Sequence, residues 1–137
     1  MADKLTPQQR SANMARIRAK DTKPEMLVRR MVHGMGFRYR LHRKDLPGKP
    51  DLVFGPRRKV IFVHGCFWHL HACRDGRIPA SRRDYWAPKL QRNAERDAEH
   101  LAALRAAGWQ VLIVWECETK DLAALQSRLA EFLETEE

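Results

Sequence analysis

Two apolar runs, Val60-Ile-Phe-Val63 and Trp109-Gln-Val-Leu-Ile-Val-Trp115, are separated by a stretch in which Leu90, Ala94, Ala98, Leu101 and Leu104 recur at helical spacing. A strand, a helix and a second strand in that order constrain the fold more than any other feature, because they join as a crossover within one sheet. The second run is almost continuously apolar, as a strand buried on both faces would be. The intervening helix is expected from Pro88 to a stop at Gly108.

The rest of the chain adds elements around that crossover. Thr22-Lys-Pro-Glu25 has the form of a capping box with Pro24 in the first turn, and Leu27, Val28, Met31, Val32 and Met35 follow on one face. The spacing predicts a helix from about Lys23 to Gly34. Phe37-Arg-Tyr39-Arg-Leu41 alternates as a half-buried strand does, and Leu46-Pro-Gly-Lys-Pro turns the chain into Asp51-Leu-Val-Phe. Gly55-Pro-Arg-Arg then leads into Lys59–His64, which makes three successive strands a meander. A last amphipathic helix carries Leu122, Leu125, Leu129, Phe132 and Leu133. The order α-β-β-β-α-β-α gives an α/β fold with a mixed central sheet flanked by helices. At 137 residues it is one domain, 1–137, with a single core.

Charge narrows the class of partner. The formal charge is +9, yet residues 116–137 hold seven acids against two bases, which leaves +14 on residues 1–115. Arg10, Arg16, Arg18, Lys20 and Lys23 form one cluster; Arg74, Arg77, Arg82, Arg83, Lys89 and Arg92 form another. A polyanion is the expected partner, with residues 1–22 as a basic arm. No stretch reaches the length of a membrane span and the N-terminus lacks an apolar signal core, so a cytoplasmic protein is expected, with no membrane partner. Three cysteines, an odd number, argue against a disulfide framework.

The chemistry concentrates behind the first apolar run. His64-Gly-Cys66-Phe-Trp-His69-Leu-His71-Ala-Cys73 packs three histidines, two cysteines and two aromatics into ten positions. Cys66, His71, Cys73 and Cys117 supply four ligands of the kind a tetrahedral structural zinc takes, and they use every thiol in the chain. Small buried thiols are the alternative reading. Zinc would staple residues 65–87, an insertion without dominant period, and would leave His64 and His69 beside it for other work. Asp51, after Pro50, opens the strand that neighbours the one ending at His64. Nucleases of the PD-(D/E)xK type place an acid, a second acid and a lysine at such strand ends; here Phe62 stands for the second acid and His64 for the lysine.

These residues belong to a longer series of matches. Asn13-Met14, Arg18-Ala-Lys-Asp-Thr-Lys-Pro-Glu25, Leu46-Pro-Gly-Lys-Pro-Asp51, Val60-Ile-Phe-Val-His-Gly-Cys-Phe-Trp-His69, Asn93-Ala-Glu-Arg-Asp97 and Gly108-Trp-Gln-Val-Leu-Ile-Val-Trp-Glu-Cys117 occur in order. Over nearly its whole length the chain resembles the very-short-patch repair DNA mismatch endonucleases. The resemblance implies a restriction-endonuclease-like single domain that nicks duplex DNA on the 5′ side of the T in a T·G mismatch left by deaminated 5-methylcytosine. It implies catalytic Mg²⁺ as well as structural Zn²⁺. Asp51 and the Val63 carbonyl would hold Mg²⁺, Val63 lacking the hydroxyl of members with Thr there. His69 would act as general base or position water, His64 would contact the phosphate or leaving group, and Glu25 would orient a histidine or metal-bound water, unless it only closes the capping box.

Phe67, Trp68 and Trp86 match the family's aromatic wedge beside the mismatch, Lys89 and Asn93 its contacts to the wobble pair, and Met14 its contact from the N-terminal segment. The expected state is a monomer, cytoplasmic and nucleoid-associated, that works alongside DNA repair proteins. Two rivals remain at this level: a sequence-specific nuclease of the same fold without mismatch preference, and a zinc-containing DNA-binding module with a dead site.

Overall fold

The computed structural model describes residues 22–66 and 83–135. Met14, Phe67, Trp68, His69, His71 and Cys73 lie outside the described residues, as does most of the basic arm.

Helix α1 spans Lys23–Gly34. Thr22 sits in extended backbone before it, and its hydroxyl accepts the Glu25 N–H at 3.4 Å. Half of the expected capping box forms; the Glu25 carboxylate turns elsewhere. The helix ends as Gly36 N–H donates to the His33 carbonyl and Phe37 N–H to that of Val32. Gly36 adopts φ +96°, the left-handed turn that this stop requires.

Four strands follow: β1 (Arg40–Leu41), β2 (Leu52–Phe54), β3 (Lys59–His64) and, after the long helix α2 (Arg83–Ala106), β4 (Gln110–Trp115). They pair in chain order, antiparallel from β1 to β3 and parallel between β3 and β4. A short 3₁₀ turn, Glu116–Lys120, joins β4 to helix α3 (Leu122–Glu134), which Asp121 caps through the Ala124 N–H. The meander and the crossover are thus present as the sequence predicts.

Alternation on the strands divides the core. Leu52, Phe54 and Ile61 face α1 and α3, packing with Val28, Val32, Val114, Leu125, Leu129 and Leu133; Val53, Val60 and Phe62 pack on the opposite face with Leu104 of α2 and Trp109. Helices therefore cover both faces of a mixed sheet.

Three expectations change. The strand expected over Phe37–Leu41 pairs only at Arg40–Leu41, although Phe37 and Tyr39 still pack on the core. β4 closes one side of the described sheet, so only Val114 in it is fully buried. An apolar run read as buried on both faces is half-covered because it has one strand neighbour among the described residues. Helix α2 begins at Arg83 rather than Pro88, so the end of the 65–87 insertion is helical. Pro88 is accommodated at its sixth residue at the loss of one backbone hydrogen bond.

Candidate active site

The loop Leu46–Pro50 delivers Asp51 to the edge of β2. Gly48 (φ +77°) lies against α2, where an added Cβ would stand 3.0 Å from His100 Cβ, so a side chain would push the loop off the helix. Asp51 is then fixed to the next strand: its Oδ2 accepts the Val63 N–H at 2.7 Å.

Two further side chains meet it there. Glu25, in the first turn of α1 and 2 % exposed, contacts the Arg29 guanidinium one turn on and lies 2.8 Å from His42 Nε2. The same Nε2 is 3.7 Å from Asp51 Oδ1. One ligand atom each from Glu25, His42 and Asp51 fall within 4.8 Å of one another, a donor set able to hold a cation. Burial raises the Asp51 carboxyl from 3.8 to about 7; the Val63 N–H pulls it back and the Glu25 charge adds to the rise. The group lies where a proton or a cation decides its charge at neutral pH.

His42 was missed by the sequence reading. The alternation of Phe37, Tyr39 and Leu41 assigns it to the solvent row, and no motif includes it. Its backbone turns instead through φ +49°, with its N–H donating to the Asp51 carbonyl at 3.2 Å, which carries the imidazole inward.

Of the other candidates, His64 ends β3, 7 % exposed, between the rings of Phe62 (5.4 Å) and Trp115 (5.2 Å). It is not one of the three clustered ligands. Val63 contributes its N–H to Asp51. His64 pairs in register with Trp115, and Cys66 and Cys117 each stand two residues beyond that pair, so the parallel ladder carries both thiols to the same end of the sheet. Cys66 is fully buried. Trp86, Lys89 and Asn93 lie together on the first turns of α2: the Lys89 ammonium stands 5.5 Å from the Tyr85 ring centroid and 5.9 Å from that of Trp86, and the two rings meet edge-on at 4.9 Å. Tyr85, half exposed, was not singled out from the sequence.

Residues 2–75 match the family model described as DNA mismatch endonuclease Vsr. The chain belongs to the Vsr family. It is similar to the type II nicking enzyme V.XorIIP of Xanthomonas oryzae pv. oryzae, 54% identical over 134 residues that cover 98% of each chain. It is 45% identical to the type II nicking enzyme V.NmeAIP of Neisseria meningitidis, over 94% of this chain and 92% of that one. With the DNA mismatch endonuclease Vsr of Escherichia coli it shares 41% identity over 97% of this chain and 88% of the relative. Family membership makes it a DNA endonuclease, a phosphodiester hydrolase, and the α/β domain with helices on both sheet faces is its scaffold. No helix among the described residues is long and apolar enough to cross a membrane.

Proposed function

We propose that this endonuclease nicks one strand of duplex DNA at T·G mismatches, on the 5′ side of the T, as part of very-short-patch repair. The observation that carries the reading is the convergence of Glu25 and Asp51 beside the β3 strand end that bears His64, in a chain of the Vsr family. A buried and a half-buried carboxylate set this close repel each other, and a divalent cation is a partner that keeps both ionised. Asp51 and the Val63 carbonyl hold Mg²⁺ in this reading, and the cation supplies charge neutralisation at the phosphate in the transition state.

The chain's own groups do the rest. His69 takes the proton from the attacking water, His64 contacts the phosphate or leaving oxygen from a site walled by Phe62 and Trp115, and Glu25 orients a neighbouring histidine or water. Zn²⁺ on Cys66, His71, Cys73 and Cys117 staples the segment that bears His69; the shared sheet end of Cys66 and Cys117 supports this. A restriction-endonuclease-like core is the fold that fits these strand-end positions. Phe67, Trp68 and Trp86 wedge into the stack, Lys89 and Asn93 read the wobble pair, Met14 contacts the opposite groove, and the basic clusters hold the backbone. The enzyme works as a cytoplasmic, nucleoid-associated monomer.

A second reading is favoured by the names of two relatives, which are type II nicking enzymes: strand nicking set by sequence, without mismatch preference. Cutting of T·G and T·A duplexes in varied flanking sequences separates the two. Mismatch-dependent nicking that needs Mg²⁺ supports the first; equal cutting of both duplexes at one sequence replaces it with the second.

A further inference from the structure

We propose that the β1 edge and the loop after it, residues 38–49, form a further DNA-binding surface, one that holds the duplex backbone flanking the phosphate to be cut. It rests on the reading that places the cut phosphate at Asp51. Neither basic cluster noted along the chain, in residues 10–23 and 74–92, includes this stretch.

Five cations, Arg38, Arg40, Arg43, Lys44 and Lys49, stand here against a single acid, Asp45, which leaves a formal net of +4. Asp45 is already committed, since its two carboxylate oxygens accept from the Arg43 guanidinium at 3.0 and 2.6 Å. Arg38, Arg40, Lys44 and Lys49 are all exposed. Arg38 donates to the carbonyls of His33 and Phe37, and no acid among the described residues pairs with any of the four. Strand pairing sets these charges beside the candidate site. β1 is the outermost strand on its side of the described sheet, in register Arg40–Val53 and Leu41–Leu52 with β2, and the next bond joins the His42 N–H to the Asp51 carbonyl. Arg40 thus lies two residues up the ladder from Asp51, about 7 Å at the rise of a strand. Lys49 comes two residues before Asp51 along the chain, so cations approach that carboxylate from both directions.

Edge strands also carry charge to avoid pairing with another chain. A two-residue strand needs little such protection, and protection does not ask for one sign carried on through the loop to Lys49. An unbalanced run of one sign fits a polyanion instead. Each strand of a duplex bears one charge per roughly 3.4 Å of axis, so the span from Arg40 to Asp51 alone faces about two phosphates. Contacts of this kind carry no sequence information; they fix the register of the duplex on the protein, which here keeps one phosphate over Asp51.

The test is binding of T·G and matched duplexes to the full chain over a range of salt, without divalent cation. Arg40→Gln, Lys44→Gln, Lys49→Asn and the triple variant are compared with the parent; Lys49 takes Asn because its φ is +50°, which Asn accepts. Arg105→Gln is the control, an exposed cation at the end of α2 that leads into the start of β4, away from Asp51. Each single substitution should weaken both duplexes alike, by roughly threefold to tenfold, and lower the slope of log affinity against log salt by about 0.9; the triple variant should lower it by about 2.7. Arg105→Gln should bind both duplexes as the parent does. A triple variant with the parent's affinity and slope overturns the proposal, and self-association of that variant would then mark the cations as edge protection. A loss confined to the T·G duplex also overturns it, as does an equal loss in Arg105→Gln, which would make net charge the whole effect. Nicking by Asp51→Asn with Mg²⁺ tells the failures apart. If that variant cuts as the parent does, the placement of the cut phosphate fails and the surface beside it fails too; if it binds without cutting while the triple variant binds like the parent, only the surface falls.

Discussion

The two ends of β3 bury charge in opposite ways. At its start Lys59, 2 % exposed, donates its ammonium to the carbonyls of Phe132 (2.6 Å) and Leu133 (3.4 Å) and to that of Thr135. Arg57 adds a bond to the Leu133 carbonyl at 3.1 Å. These are the open carbonyls at the negative end of α3, so a buried cation meets its complement and pins the last helix to the sheet. At the far end Asp51 and Glu25 bring like charges together, and burial pushes Asp51 up to about 7. The first arrangement stabilises the fold. The second costs stability, offset in part by the Arg29 guanidinium beside Glu25, and a strained carboxylate pair of this kind is the pattern that makes this end of the strand the candidate site.

The comparison can be broken most forcefully through the zinc proposed for the working end. Cys117→Ala should release the metal and leave the chain largely unfolded, since structural zinc contributes on the order of ten kcal/mol. Elemental analysis and thermal melting check this, and a zinc-free parent with the same melting temperature as the variant would remove the staple from the picture.

Asp51→Asn should have the next largest effect, and in two directions. Nicking should fall by roughly a thousandfold, as expected when several kcal/mol of transition-state charge stabilisation is lost. Stability without added divalent cation should rise. Because the folded value of Asp51 lies above its ordinary 3.8, the native state holds the proton more tightly, and the parent should lose stability as pH climbs from about 4 to about 7. The variant should lack that decline. Parallel pH–stability curves for the two proteins would mean that the acids are not crowded in solution.

Lys59→Met tests the opposite end. It should cost about 2–3 kcal/mol, the scale of charged hydrogen bonds lost by buried carbonyls. Nicking per folded molecule should stay at the parent's rate, measured below the melting transition. A variant as stable as the parent would show that the buried ammonium is not what holds α3.

The smallest effect concerns Trp86, beyond the working end on α2. Trp86→Ala should lower affinity for T·G duplex relative to matched duplex by about 1–3 kcal/mol, the value of one base–aromatic stack. Equal losses on both duplexes would make the ring a general backbone contact or a packing group beside Tyr85 and Lys89.

Local chemistry made much of this legible in the amino-acid sequence alone. The Thr22 cap and helical spacing located α1 as observed, and Gly108 ends α2 with Trp109 N–H on the Leu104 carbonyl, the stop that a glycine with φ +89° allows. The two apolar runs joined by a helix specified the parallel β3–β4 pair, because a crossover leaves few alternatives. Asp51 and Glu25 were identifiable as candidates from the motifs that hold them. What the tertiary structure alone decided is where those side chains point and what joins them. Glu25 has the sequence of a capping-box residue, yet its carboxylate serves Arg29 and His42, because α1 packs over the start of the meander. His42 has no periodicity or motif to mark it; it enters the site through one left-handed residue and one hydrogen bond to the Asp51 backbone. β4 has one strand neighbour among the described residues, and Lys59 found its acceptors seventy-odd residues away at the end of α3. Periodicity and capping are set by neighbours along the chain and can be read from them, whereas convergence of charges depends on which distant elements share a sheet end, and that is settled only when the core packs.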